Sequence, residues 1–137
     1  LKNNLPLPDL ILPIPLHPRR LRWRGFNQSE LLADHIAQNL TPGFPLPVLS
    51  DFIIRTRYTK PQMKIKDYKE RQKNIKGIFS LNTRNSLNPK LLDKTILLVD
   101  DIATTGATLF ECGKMLKQNG AKEVFGTVIA RQVISQK

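Results

Sequence analysis

The chain has 137 residues, 40% of them apolar, a net charge of +11 and a single cysteine, Cys112. That length suits one domain with one core. No apolar run approaches the ~20 residues of a bilayer-spanning helix, and one cysteine excludes an internal disulfide or a multi-cysteine zinc site within these residues. The basic balance attracts polyanions, whether nucleic acid, acidic membrane or phosphorylated small molecules, and charge alone does not choose among them. Residues 1–9 lack the basic segment followed by an apolar one that a secretory leader carries. With a single cysteine, the expected location is cytoplasmic. Leu1 stands where an initiating Met would, and the sequence is expected to be either a trimmed piece of a longer chain or a short form.

In chain order, residues 9–15 (DLILPIP) form a short apolar run that reads as a strand ending at Pro13 or Pro15, since proline donates no ladder hydrogen bond. Residues 17–28, with Arg19, Arg20, Arg22, Arg24 and Gly25, read as a basic loop, and Trp23 within it is expected to pack. A helix is expected over 27–40, capped by Asn27 or Ser29. Leu32, Ile36 and Leu40 form its apolar stripe, Ala33 and Ala37 lie beside it, and His35 is structural. Thr41-Pro42-Gly43 stops it.

Residues 48–55 are expected to be a strand. Arg55, Arg57, Lys60, Lys64, Lys66, Lys69, Arg71, Lys73 and Lys76 then fall within 22 residues, against only Asp67 and Glu70. Residues 56–63 read as a mobile loop, 64–72 as a short helix, 77–81 as a strand and 82–94 as a polar connection. Residues 95–99 (TILLV) have the continuous apolar character of a strand buried on both faces. A helix over 108–118 buries Leu109, Cys112 and Leu116, and Asn119-Gly120 ends it. A last strand spans 124–130. Strand, helix and strand with short links make a βαβ unit, hence an α/β fold with a mostly parallel central sheet flanked by helices.

The chemistry concentrates in residues 97–108 (LLVDDIATTGAT). A buried strand ends in two carboxylates, Asp100 and Asp101, at the edge where open α/β sheets bind ligands. A small, hydroxyl-rich turn follows and opens a helix. Its amides converge with the positive end of the helix dipole, a nest suited to a phosphate monoester. Ala103, Thr104, Thr105, Gly106, Ala107 and Thr108 are the candidates for that role. Carboxylates disfavour phosphate, so Asp100 and Asp101 suit ribose hydroxyls or a hydrated Mg2+. A phosphate pocket beside acceptors for a diol is a phosphoribosyl-binding arrangement. A Walker B strand also ends in acids, but the chain has neither G-x-x-x-x-G-K-[ST] nor G-x-G-x-x-G.

The apolar strand, the two acids and Thr-Gly-x-Thr resemble the 5-phosphoribosyl-1-pyrophosphate (PRPP) signature of type I phosphoribosyltransferases. Residues 13–20 (PIPLHPRR), residues 24–28 (RGFNQ) and the set Arg55, Thr59, Gln62, Arg71, Asn74 and Phe79 resemble the ComF family, the competence-associated branch also called ComFC or GntX. Together these span roughly residues 9–131. The four-cysteine zinc module common in that family is missing here.

The resemblance implies a type I phosphoribosyltransferase-like domain with Asp100 and Asp101 as catalytic residues that meet Mg2+ indirectly or through the substrate. It implies a pyrophosphate loop at Leu16, His17, Arg19 and Arg20, and a lid over 56–74 with Gln62, Arg71 and Asn74 as contacts. PRPP with Mg2+ would be the substrate, the acceptor is unspecified, and no general base is evident. The segment that recognises the acceptor in better-known members has no clear counterpart. The resemblance also implies a link to DNA uptake in natural transformation, with single-stranded DNA or the competence machinery as partners and a peripheral place at the inner membrane. A homodimer and a non-catalytic PRPP-sensing or DNA-handling role are the further expectations.

Overall fold

The computed structural model describes residues 4–57, 68–86, 88–103 and 105–132, with Tyr68, Arg71 and Gln72 described by backbone alone. Its first strand, β1 (Leu10–Pro13), is buried along its whole length. It pairs in parallel with β4 (Thr95–Ala103), Leu10 opposite Ile96 and Pro13 opposite Val99. β4 in turn pairs in parallel with β5 (Glu123–Arg131), giving the strand order β1-β4-β5. Proline is tolerated at Pro13 because the strand ends there: the next amide, Ile14 N–H, closes the pairing on Val99 C=O at 2.9 Å.

The alternation of side chains along a strand divides the sheet into two faces. Ile11, Leu97 and Val99 point to one, where α2 (Gln28–Leu40) packs. Ala33 and Ala37 are the residues of α2 buried against it, with Leu32 and Ile36 half-buried on either side and Leu40 and His35 exposed. The contact stripe is therefore centred on the two alanines and rotated from the expected leucine stripe. Small side chains there let the helix approach the sheet closely.

Leu10, Leu12, Ile96 and Leu98 point to the other face, against Cys112 and Leu116 of α4 (Ala107–Gln118). Gly126 of β5 faces α4 as well: a Cβ there would lie 3.2 Å from Leu109 Cδ1, so glycine keeps the helix close to the strand. The same core takes in Phe52, Ile53, Ile75, Ile78 and Phe79. These come from a small antiparallel pair, β2 (Ile53–Arg55) and β3 (Phe79–Leu81), and from α3 (Tyr68–Ile75).

Several expectations change. The expected basic loop contains a helix, α1 (Pro18–Arg24). His17 caps it by accepting the Arg19 N–H on Nδ1, Pro18 occupies the first turn where its missing donor is harmless, and Gly25 ends it in the left-handed region with its N–H on Leu21 C=O. The arginines that read as loop are good helix formers. The strand expected over 48–55 shortens to Ile53–Arg55. Pro47 precedes a single bridge from Val48 to Ile11, and residues 50–52 turn before the chain becomes extended. α3 ends later than the helix expected over 64–72, whose residues 64–67 lie outside the described residues, as do residues 58–63 of the expected loop. β4 extends through both aspartates to Ala103 because β5 pairs with it that far, Ala103 opposite Arg131. The single buried cysteine, Cys112, fills the core position expected of it, and burial pushes its thiol pKa up.

Asn27 ties the parts together. Its Oδ1 accepts the Ser29 N–H at 3.1 Å, capping α2, and its Nδ2 donates to Ile14 C=O at 3.0 Å, fixing the loop after β1. Asn27→Ala loses both bonds. The expected cost is about 1–2 kcal/mol of unfolding free energy, measured by urea denaturation.

Candidate functional site

The parallel pairing of β1 and β4 sets the loop after β1 next to the aspartates of β4. Between them lies a cleft of about 280 Å³. Leu16, Arg20, Asp100, Asp101 and Thr108 line it, all singled out from the sequence, together with Ser29, Arg55, Asn27, Trp23 and Arg24. A second cleft of about 420 Å³ is lined by Thr105, Gly106 and Ala107 at the start of α4 and by Ile75 and Lys76 at the end of α3.

Asp100 is the most constrained group. Its Oδ1 accepts the Ser29 Oγ–H at 3.1 Å and the Asp101 N–H at 2.9 Å. Burial outweighs these bonds, and with the neighbouring Asp101 carboxylate it pushes the pKa up to about 6. Ser29 itself is a buried polar residue, placed by the Asn27 cap two residues before it. Asp101 folds its Oδ1 back onto the Ile102 N–H at 2.8 Å.

Opposite stand the cations. Arg55, at the end of β2, lies over the Phe79 ring with its guanidinium carbon 5.8 Å from the centroid. Burial, then the charge of Arg20, lowers its pKa to about 10, while Asp100 works the other way. Arg55 therefore stays cationic at neutral pH. Partial burial, then Arg55, Arg22, Arg19 and Arg20, holds His17 below the ordinary histidine range, in keeping with an Nδ1 that accepts a hydrogen bond.

At the head of α4, Gly106 takes the left-handed conformation with φ 78° and offers no side-chain cap. Thr105 Oγ1 accepts the Ala107 N–H at 3.2 Å. The turn thus presents backbone donors at the positive end of a twelve-residue helix.

The sequence-derived residues divide as follows. Leu16, Arg20, Asp100, Asp101 and Thr108 share the first cleft, and Thr105, Gly106 and Ala107 share the second. Ala103 closes β4. His17 and Arg19 sit at the start of α1, outside the lining of either cleft, His17 as its cap. Arg71 and Asn74 lie on α3, and Asn74 Nδ2 is buried without a hydrogen-bond partner among the described residues. Thr104 and Gln62 lie outside the described residues. Trp23, expected to pack, is 85% exposed at the mouth of the first cleft, because α1 buries none of its residues.

Ser29 and Arg55 were missed as site residues. Ser29 read as an alternative helix cap, and nothing in its local sequence points across to Asp100. Arg55 stood in the set that resembles the ComF family, the one signal that singled it out. Lys76 entered only as part of the basic run.

A parallel α/β sheet with paired carboxylates at the end of a central strand, a glycine turn into a helix and arginines facing them defines a type I phosphoribosyltransferase-like domain. The family described as phosphoribosyl transferase domain matches residues 27–136. Among curated proteins, the chain is 35% identical over 122 residues to Competence protein F of Haemophilus influenzae, covering 89% of this chain and 50% of that one. It is 37% identical over 122 residues to DNA utilization protein YhgH of Salmonella typhi, covering 89% and 49%. It is 32% identical over 111 residues to Competence protein ComFC of Streptococcus pneumoniae, covering 81% and 43%. The chain belongs to the phosphoribosyl transferase domain family and, within it, to the ComF branch. It spans about half the length of the curated relatives it matches.

The raised pKa of Asp100 has a direct consequence for stability. A carboxyl that binds its proton more tightly when folded loses stability as pH rises from its unfolded value near 3.8 to about 6. Asp100→Asn removes that penalty and keeps an oxygen to accept from Ser29 and Asp101. The variant is expected to be more stable than the parent by about 3 kcal/mol at pH 7, with most of the difference gone by about pH 4, as read by urea denaturation at both pH values.

Proposed function

We propose that the chain binds PRPP across the two clefts and transfers its phosphoribosyl group to an acceptor, with Mg2+ arriving on the substrate. The observation that carries this reading is the single cleft in which Asp100 and Asp101 face Arg20 and Arg55. On this reading the turn at 103–108, beside the second cleft, takes the 5'-phosphate on its amides and the Thr105 and Thr108 hydroxyls. The carboxylates accept from the ribose hydroxyls. Arg20 and Arg55 take the pyrophosphate, for which the planar guanidinium is suited.

Among the described residues no group of three or more His, Cys, Asp or Glu side chains is gathered to hold a metal. Two adjacent carboxylates beside phosphates fit a Mg2+ that keeps its waters and is shared with the substrate. Bound there, it would neutralise charge on the departing pyrophosphate. The acceptor's nucleophile forms the new bond to ribose C1, and the C1–O bond breaks with its electron pair leaving on pyrophosphate. The protein's residues orient the ribose and stabilise the developing charge. Calorimetric titration of PRPP, with and without Mg2+, tests this reading. Mg2+-dependent binding that disappears in the Asp100→Asn, Asp101→Asn double variant is expected. Unchanged affinity in that variant would remove the site assignment.

A second reading is favoured by α1. It carries Arg19, Arg20, Arg22 and Arg24 around a Trp23 that is almost fully exposed, a stacking surface within a cationic stripe. Such a surface suits single-stranded nucleic acid, and two of the relatives are named for DNA utilization and competence. In this reading the domain handles DNA in competence, with PRPP as a sensed ligand. Binding of a fluorescent oligothymidine should fall steeply with salt. Trp23→Ala should weaken it about tenfold. Binding indifferent to that substitution would discard the platform.

A further inference from the structure

β5 forms the outer edge of the parallel sheet, and no strand among the described residues pairs with its outer side. A nine-residue open edge is a template for another strand, and proteins normally shorten, charge or cover such edges. Here the edge carries Ile129 at 71% exposure, with the cleft between α4 and β5 open beside it.

We infer that β5 pairs antiparallel with β5 of a second copy, centred on Thr127, joining two three-stranded sheets into one. The strand is complementary to itself in that register. Glu123 falls opposite Arg131 of the second copy, Phe125 opposite Ile129, and Thr127 opposite Thr127. Directly opposed residues of an antiparallel pair share a face, and opposite charges there are favourable. A shift by two residues sets Glu123 against Ile129 and loses both charge pairs. A chain of net charge +11 repels its copy, so this local match is what selects the edge.

Both faces of the seam are accounted for. Gly126 and Val124 face α4, meeting Leu109 and Gly113. Glu123, Phe125, Thr127, Ile129 and Arg131 therefore share the opposite face. Across the seam, Phe125 and Ile129 from the two copies make an apolar patch bracketed by the two Glu123–Arg131 pairs. On the other side the two α4 helices flank the seam, over a cleft of about 780 Å³ that includes Phe110, 76% exposed in the single chain. Antiparallel joining sends the aspartate ends of the two sheets to opposite ends of the dimer, so both candidate sites stay open.

Sedimentation equilibrium on the parent, Glu123→Arg, Arg131→Glu and the double variant tests the inference. The parent should reach twice the 15.6 kDa chain mass. Each single variant sets like charges opposite each other and should weaken association about tenfold, and the double variant should restore it. A parent that stays monomeric, a dimer indifferent to the single changes, or a double variant as weak as the singles would each overturn it. If a charge variant fails to fold, Ile129→Lys replaces it: association that survives this change is also contrary. Amide exchange separates the remaining alternative, since slow exchange along β5 in a chain that stays monomeric would mean that its own chain covers the edge.

Discussion

The parallel pairing of β1 with β4 is the constraint on which the rest of the molecule depends. It aligns the two strands so that both finish at one edge of the sheet, Pro13 opposite Val99. The loop after β1 and the aspartates of β4 are far apart in sequence and become neighbours only through this register. A slip of β1 by one residue would turn Ile11 toward the α4 core and Leu10 and Leu12 toward α2. Burial of apolar side chains on both faces therefore fixes the register, and the register fixes the site.

Once that edge exists, its polar groups have to be satisfied at short range. Asn27 joins the loop after β1 to the start of α2, and the next helical positions bring Ser29 onto Asp100. A single cap residue thus connects a strand end, a helix start and the most buried carboxyl of the cleft. Arg55 reaches the same cleft from a different sheet, held over Phe79 and brought in by the core that β2 and β3 share with α4. The balance of one half-buried cation and one buried acid is set by these scaffolding contacts, and no local pattern encodes it.

That distinction marks what could be read from the sequence. β4, α4 and β5 were legible because each has the period and boundary residues of its type: a continuous apolar run, a helical stripe around Cys112 and Leu116, and a glycine after Asn119. The Asp100–Thr108 segment was legible because its chemistry is local, a strand end running directly into a helix start. α1 was not, since arginines and a tryptophan suggest solvent and packing, while the helix is decided by His17, Pro18 and Gly25 acting together. Ser29 was read only as a capping candidate because its partner lies 71 residues away. Trp23 was misplaced because an aromatic side chain is usually buried, and only the outward-facing helix leaves it in solvent.

The burial of Asp100 carries a consequence for how the cleft responds to its occupants. With a pKa of about 6, the carboxyl holds a proton in a small minority of molecules at neutral pH and in most of them only below about pH 6. Anything that brings positive charge to that end of the strand favours the ionised form and expels the proton, while anything that brings uncompensated negative charge recruits one. Occupancy and protonation are then linked equilibria: each ligand changes the acidity of the strand end, and the acidity of the medium changes, by the same free energy, how well each ligand is held.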